Sequence, residues 1–306
     1  MHAERFIPPA NDGLQATSDY RDWNTLPPPI RSFPLRPAAP APITPSRSLQ
    51  DEVDALHREK LDLHTQLFEA AQIQRKLSGP RLLRHGDLQF ASEVFAAHLL
   101  SGDFVTFSQN GSTVFAAHGD IAGKGVAAGM WFTNLAGLLQ SYGRPGSDPA
   151  TIASEVNRHL CYLRPVAPFV TGFIAQIDCD RGEVHYCNAG HFPPMLLRAD
   201  GRTDLLEEGG PLLGAIEQAE FRSGQVTLEP GDTLVAYSDG VLECCNPSGE
   251  EFGTEQLVST LRCAEGQSAH TKLMTVLATL QDFANGSPLR DDVSLTVIQR
   301  EARAQQ

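Results

Sequence analysis

Four short acidic signatures constrain this chain more than any other feature: Ser101-Gly102-Asp103, Gly119-Asp120-Ile121-Ala122-Gly123-Lys124-Gly125, Tyr237-Ser238-Asp239-Gly240 and Arg290-Asp291-Asp292-Val293-Ser294. Each sets an Asp at the end of, or just past, a stretch that reads as a strand. A sheet holds such a carboxylate rigidly while its oxygens face a cleft, and several converging carboxylates need a compensating charge. Carboxylates without accompanying His or Cys favour a hard divalent cation, Mg or Mn, over zinc.

Gly-Asp and Asp-Gly pairs are also ordinary turn chemistry in β-rich proteins, so each signature alone is ambiguous. Their flanks carry more. Residues 113 to 121 and 233 to 239 are apolar runs of strand length that end on Asp, and the first leads through Gly123 and Gly125 into a helical stretch. Two strands delivering an Asp to the same kind of edge suggest one site.

The rest of the pattern predicts strands at 88–97, 103–108, 113–121, 169–178, 183–188, 194–199, 224–228, 232–238 and 292–299. Helices are predicted at 125–142, 149–163, 254–263 and 268–284. Many antiparallel strands with two groups of helices fit an α+β class in which helices cover stacked sheets.

From Ala70 to Ile298 the sequence resembles the SpoIIE/RsbU-like branch of the PPM (PP2C-type) metal-dependent serine/threonine phosphatases. The resemblance is carried, in order, by Ile73-Gln74 with Leu77, Gly102-Asp103-Phe104 and the Gly119 to Gly125 block. It continues through Asn188-Ala189-Gly190-His191 with Pro193-Pro194, Pro211-Leu212-Leu213-Gly214 and Glu229-Pro230-Gly231-Asp232. Tyr237 to Val241 with Glu243, Phe252-Gly253 and Asp291-Asp292 complete it. The single motifs are weak and the ordered set is specific.

The resemblance implies a PPM/PP2C-like αββα sandwich and two bound ions, Mn2+ or Mg2+. It makes Asp120 the bridging carboxylate and gives the carbonyl of Ile121 the backbone-oxygen role. Asp239 and Asp291 become further ligands, and Asp103 an acid binding metal directly or through water. Asp292 ranks lower, as do Gly102 and Gly240 beside the acids. The chain departs from many RsbU-like members, which read Gly-Asp-Phe-Tyr-Asp where this chain has Gly102-Asp103-Phe104-Val105-Thr106. Two such ions would activate a water for attack on phosphorus and neutralise phosphoryl charge, with no covalent intermediate. Asp120 and Asp239 are then the principal catalytic acids.

The six cysteines contain no C-x-x-C, which argues against a zinc site and a cysteine phosphatase. His191 is read as a loop histidine bonded to backbone, with a general-acid role as the alternative. Lys124 lies at an apparent helix start, where a cation attracts anions; a solvated lysine is the plainer reading. No Arg adjoins Asp103 to bind phosphate.

With 306 residues the chain can bury one substantial domain plus an extension. A net charge of -13 argues against nucleic acid as a partner, which would need a basic face. No apolar run is long enough to span a membrane and the first residues lack a signal-peptide core, so a cytoplasmic protein is expected. Four parts follow: a Pro-rich segment 1–46 expected to be disordered, a linker helix 47–79, a phosphatase domain 80–300 and a tail 301–306. In the linker, Leu49, Val53, Leu56, Lys60, Leu63, Leu67, Ala70, Gln74 and Leu77 follow coiled-coil spacing, with Ser48 as cap and Gly79-Pro80 as stop. A parallel homodimer is expected, the alternative being a helix packed on its own domain.

The function these features imply is dephosphorylation of a phosphorylated protein, on the resemblance a STAS-type anti-sigma-factor antagonist or similar partner-switching regulator. An upstream activator would act through the N-terminal segment or linker helix. The alternative is a catalytically weak phosphatase-like module that docks a signalling partner.

Overall fold

The structure, a computed structural model, describes residues 48–302; the segment expected to be disordered and all but two residues of the expected tail lie outside the described residues. In chain order the elements are α1 (Leu49–Leu77), β1 (Leu82–His85), β2 (Leu88–Phe95), β3 (Asp103–Asn110) and β4 (Thr113–Ile121). Then come α2 (Val126–Tyr142), α3 (Pro149–Tyr162), β5 (Val170–Asp178), β6 (Glu183–Ala189), β7 (Met195–Leu197), β8 (Thr203–Leu205), β9 (Gly209–Gly210) and β10 (Gly224–Thr227). The chain closes with β11 (Thr233–Tyr237), α4 (Asp239–Leu242), α5 (Gly253–Cys263), α6 (Ala269–Ala284) and β12 (Val293–Arg300).

Two six-stranded layers result. One runs β1-β2-β12-β11-β7-β8; the other runs β10-β6-β5-β4-β3, with β9 added beside β6. Both are antiparallel along these paths, and β9 alone pairs parallel. Strand alternation separates three cores. On β3 and β4, Phe104, Phe115 and Ala117 face α2 and α3, packing with Phe132, Leu135 and Ile152. Val105, Phe107, Val114 and Ala116 point the other way and meet Leu88, Leu234 and Ile298 of the opposite sheet. On that sheet's outer face Val235, Tyr237 and Leu295 pack with Leu257 of α5 and Leu273 of α6. Helix pair, sheet, sheet, helix pair is the αββα order.

The helix ends show why these segments are helical. Asp148 accepts from Thr151 N–H ahead of Pro149 at the start of α3, and Ser268 accepts from Thr271 N–H at the start of α6. Asn285 closes α6 in the left-handed region. Ser48 and Asp51 cap the opening of α1 reciprocally, the Asp51 N–H donating to Ser48 Oγ and the Ser48 N–H to Asp51 Oδ2.

The heptad stripe of α1 is not uniform. The chain divides after Leu56 into two units, the first including the opening of α1. Leu49, Val53, Leu56 and Leu63 are exposed. Leu67, Ala70, Gln74 and Leu77, all in the second unit, are half-buried, with Leu77 against the core under α2 and α3. Gln74 has left the expected seam: its Nε2 donates to the carbonyl of Ser101 at 2.7 Å, and its Oε1 accepts the Ser101 N–H at 3.2 Å. A polar residue there is explained by a docking contact on the protein's own domain. Among the described residues no helix is long and apolar enough to cross a membrane.

Candidate active site

The four signatures arrive at one edge of the two sheets. Asp103 opens β3 and Asp120 lies beside it near the end of β4, the two being paired residues in the ladder. Asp239 begins α4 directly after β11, and Asp291 and Asp292 immediately precede β12. The exit of β11 is stapled to the entry of β12, since the Ser238 N–H donates to Ser294 O at 3.1 Å and the Ser294 N–H to Ser238 Oγ at 2.9 Å. Residues 103 and 105, like 118 and 120, share the inward-facing parity of the strands, so the acids stand between the sheets.

Asp292 is engaged differently from its neighbours. Its Oδ1 accepts the Ala97 N–H at 2.7 Å; its Oδ2 accepts Ser101 Oγ–H at 2.8 Å and the Gly102 N–H at 2.7 Å. Three donors on a buried carboxylate make it a clamp that ties the start of β12 to the loop before Asp103. Gly240 packs against the same residue's backbone: a Cβ there would stand 2.0 Å from the carbonyl oxygen of Asp292. Any side chain at 240 would push the two Asp segments apart.

Asp103, Asp120 and Asp239 lack such a set of partners, and Asp291 takes the Asp292 N–H on Oδ1. Burial pushes the Asp103 carboxyl well up from its ordinary range, against the pull of the Ser294 and Ser238 hydroxyls, and Asp120 and Asp292 add like charge. Burial also raises Asp120, to about 6, with Asp239, Asp291 and Asp292 contributing repulsion. Asp239 is raised by burial and by Asp291, opposed by the Gly240 N–H and by Lys124. Asp103 Oδ2 is buried with no hydrogen-bond partner. Around Gly102 lies a further cradle: a Cβ there would meet the Ile121 carbonyl oxygen at 2.9 Å, Asp120 Oδ1 at 3.0 Å and the Gly123 carbonyl oxygen at 3.2 Å.

An orphaned carboxylate oxygen, a cradle of backbone and carboxylate oxygens, and mutual repulsion among the acids fit a hard divalent cation. As they stand, no three His, Cys, Asp or Glu side chains among the described residues are arranged to hold an ion. Asp292 is spent on its three donors, and Asp291 Oδ2 faces the Lys124 ammonium at 2.9 Å.

His118 is a residue that motif reading missed. It is buried in β4, with Nδ1 3.0 Å from Thr296 Oγ1 and Nε2 2.9 Å from Ser294 Oγ, so it bridges the two sheets behind the acids. Alternation along 113–121 is the signal that would have found it, because it shares the face of Asp120. His191 stacks at 5.2 Å from it. The His191 ring bonds Thr171 Oγ1 at 3.1 Å, and its backbone is held at both ends by the Asn188 side chain. Burial lowers His191 to about 4, which keeps the ring neutral and makes it a poor proton donor near neutral pH. The cysteines form no disulfide, and burial lifts the Cys179 and Cys187 thiols to about 12.

Comparison with known proteins decides the family. The family model described as Stage II sporulation protein E (SpoIIE) matches residues 110–301. The chain belongs to the SpoIIE family. Among curated SpoIIE-like relatives, phosphoserine phosphatase RsbU of Bacillus subtilis is 27% identical over 243 residues, covering 78% of this chain and 71% of RsbU. Phosphoserine phosphatase RsbP of the same organism is 29% identical over 195 residues, covering 60% of this chain and 47% of RsbP. The chain thus spans less than half of that relative. In three dimensions the SiaA-PP2C domain of Pseudomonas aeruginosa superposes with a TM-score of 0.68 at 19% identity, covering 79% of this chain and 98% of that one. At that identity the likeness speaks for the fold, and the fold of this SpoIIE member is the PP2C sandwich.

Proposed function

We propose that this chain is a Mg- or Mn-dependent phosphatase of phosphoserine or phosphothreonine in proteins, with residues 80–300 as the catalytic domain. The observation that carries the reading is the meeting of Asp103, Asp120 and Asp239, short of donors, at one sheet edge beside Asp291, whose oxygens take the Asp292 N–H and the exposed Lys124 ammonium. Two relatives that bear the name phosphoserine phosphatase support it. Asp120, Asp239, Asp291 and Asp103, with the carbonyl of Ile121, would hold the ions. Bound there, divalent ions supply a water of lowered pKa and neutralise charge on a phosphoryl group.

The protein's own groups do the rest. Asp292 fixes the loop that carries Gly102 and Asp103, Gly240 lets β12 approach closely, and the buried His118 bridges the two sheets behind the acids. The substrate proposed is a phosphorylated partner-switching regulator such as a STAS-domain anti-sigma-factor antagonist, met in the cytoplasm. The exposed Leu49, Val53, Leu56 and Leu63 support a parallel homodimer through α1, with an activator acting on that helix or on the segment before it.

Phosphate release from a phosphoserine protein, with and without Mn, tests the activity. Release that needs Mn and drops below roughly a tenth in Asp120→Ala is expected. Metal-independent release would overturn it. A second reading, a catalytically weak module that docks a signalling partner, draws on the pairing of Asp291 with Lys124 and the absence of three closed ligands among the described residues. Specific binding of the phosphoprotein with no turnover at saturating Mn would favour it.

A further inference from the structure

Lys124 stands between Gly123 at φ 120° and Gly125 at φ 68°, two backbone positions that side chains rarely adopt, so the loop after Asp120 is built to present this one side chain. Its Nζ is 2.9 Å from Asp291 Oδ2 and 3.3 Å from the carbonyl oxygen of Arg290. The two side chains are 52% and 45% exposed, and a pair that open contributes little to folding. The fold therefore gains little from it. Asp291, Asp292 and Asp239 all act on the ammonium, and Lys124 opposes the charge on Asp239.

Resting on the metal reading above, we propose that Lys124 is a resident cation that competes with divalent metal for Asp291. An ammonium and a metal ion want the same oxygen, and two cations on one carboxylate repel. Loading the Asp291 position requires the ion pair to open and Lys124 to swing outward. The glycines on either side allow that movement at small cost. The metal affinity of the wild-type protein is then set by the acids minus this competition. Weak pairing suits the role, because a plug that divalent metal must displace cannot be held by a strong, desolvated salt bridge.

The test is calorimetric titration of the metal-free full-length protein with MnCl2, without substrate. Lys124→Met should bind Mn about three- to tenfold more tightly than wild type at low ionic strength. The gap should shrink in about 0.5 M salt, which screens an exposed pair. Lys124→Arg, which keeps the charge, should stay near wild type. Equal or weaker Mn binding by Lys124→Met overturns the competition. Asp291→Asn separates this failure from that of the underlying reading: Mn binding unchanged in Asp291→Asn removes Asp291 from the metal site, and the competition with it. Lys124 is exposed, so circular dichroism of the Met variant should match wild type.

Discussion

Asp232 precedes strand β11 and Asp239 follows it. Asp232 is 2% exposed, yet its carboxylate receives Arg198 Nη1 at 2.9 Å, the Ala199 N–H at 2.9 Å and the Glu229 N–H at 3.0 Å. Arg198 is itself held by Asp204 through Nε at 2.8 Å. Asp239, at the other end of the same strand, receives one local N–H from Gly240 and otherwise faces Asp120 and Asp291. Residue type and strand are shared; the supply of donors differs, and Asp239 is only half-buried. A buried acid given its donors belongs to the architecture, whereas a cluster left short of them stores unfavourable charge that a ligand can relieve.

The widest separation between the two ends should come from Asp232→Ala. It removes three hydrogen bonds and leaves the Arg198 guanidinium short of a partner, costing about 3–5 kcal/mol in denaturant unfolding. A loss below about 1 kcal/mol would show that the donor count is a poor guide here.

Acids at the site end should behave in the opposite sense. The Asp120 carboxyl is raised from 3.8 to about 6 in the fold, so folding pushes against its ionised form. That cost is fully present above about pH 6 and fades as pH falls towards 3.8. Metal-free Asp120→Asn should therefore be more stable than wild type at pH 8, by up to about 3 kcal/mol, with no gain at pH 4. A destabilised variant at pH 8 would break the contrast. His191 sets an opposing slope: its pKa is lowered from 6.5 to about 4, so the unfolded chain takes up the proton first and stability falls as pH drops through that window. In Asp120→Asn this slope should stand out, His191 alone losing up to about 3 kcal/mol between pH 7 and pH 4; the buried His118, lowered in the same direction, adds to it, so His191→Gln should reduce the slope.

Asp292 tests the boundary between the two classes and should give the smallest effect. Asp292→Asn keeps the shape but sets an amide N–H2 against N–H or O–H donors, so a loss of about 1–3 kcal/mol is expected. Mn affinity should fall only as far as the Gly102 loop loosens. A variant as stable as wild type that binds no Mn would make Asp292 a ligand after all.

Much of this was legible in the sequence. Strand 113–121 and helix 149–163 stand within one residue of their observed ends, because apolar alternation, Asp148-Pro149 and a long apolar stripe all agree. The short β1, β8 and β9 escaped notice: two to four residues carry too little periodicity to register, and pairing with longer neighbours creates them. At the site, the acids announced themselves through their glycine and strand flanks. Their partners did not. That Asp292 serves three donors, that Gln74 grips Ser101 and that Lys124 reaches Asp291 are contacts between residues 27 to 195 positions apart, which local pattern cannot encode.

On the proposed metal reading, the two ends of β11 differ because the protein satisfies Asp232 while Asp239 is left for a cation. Thermal unfolding with and without saturating MnCl2, on wild type, Asp232→Asn and Asp239→Asn, tests it directly. Wild type should be stabilised by Mn, since a ligand that binds only the folded state raises its melting temperature. Asp232→Asn should start from a lower melting temperature and keep the same Mn-induced rise. Asp239→Asn should start at or above wild type and lose most of the rise. An undiminished rise in Asp239→Asn, or a rise lost in Asp232→Asn alone, would contradict the assignment of the two ends.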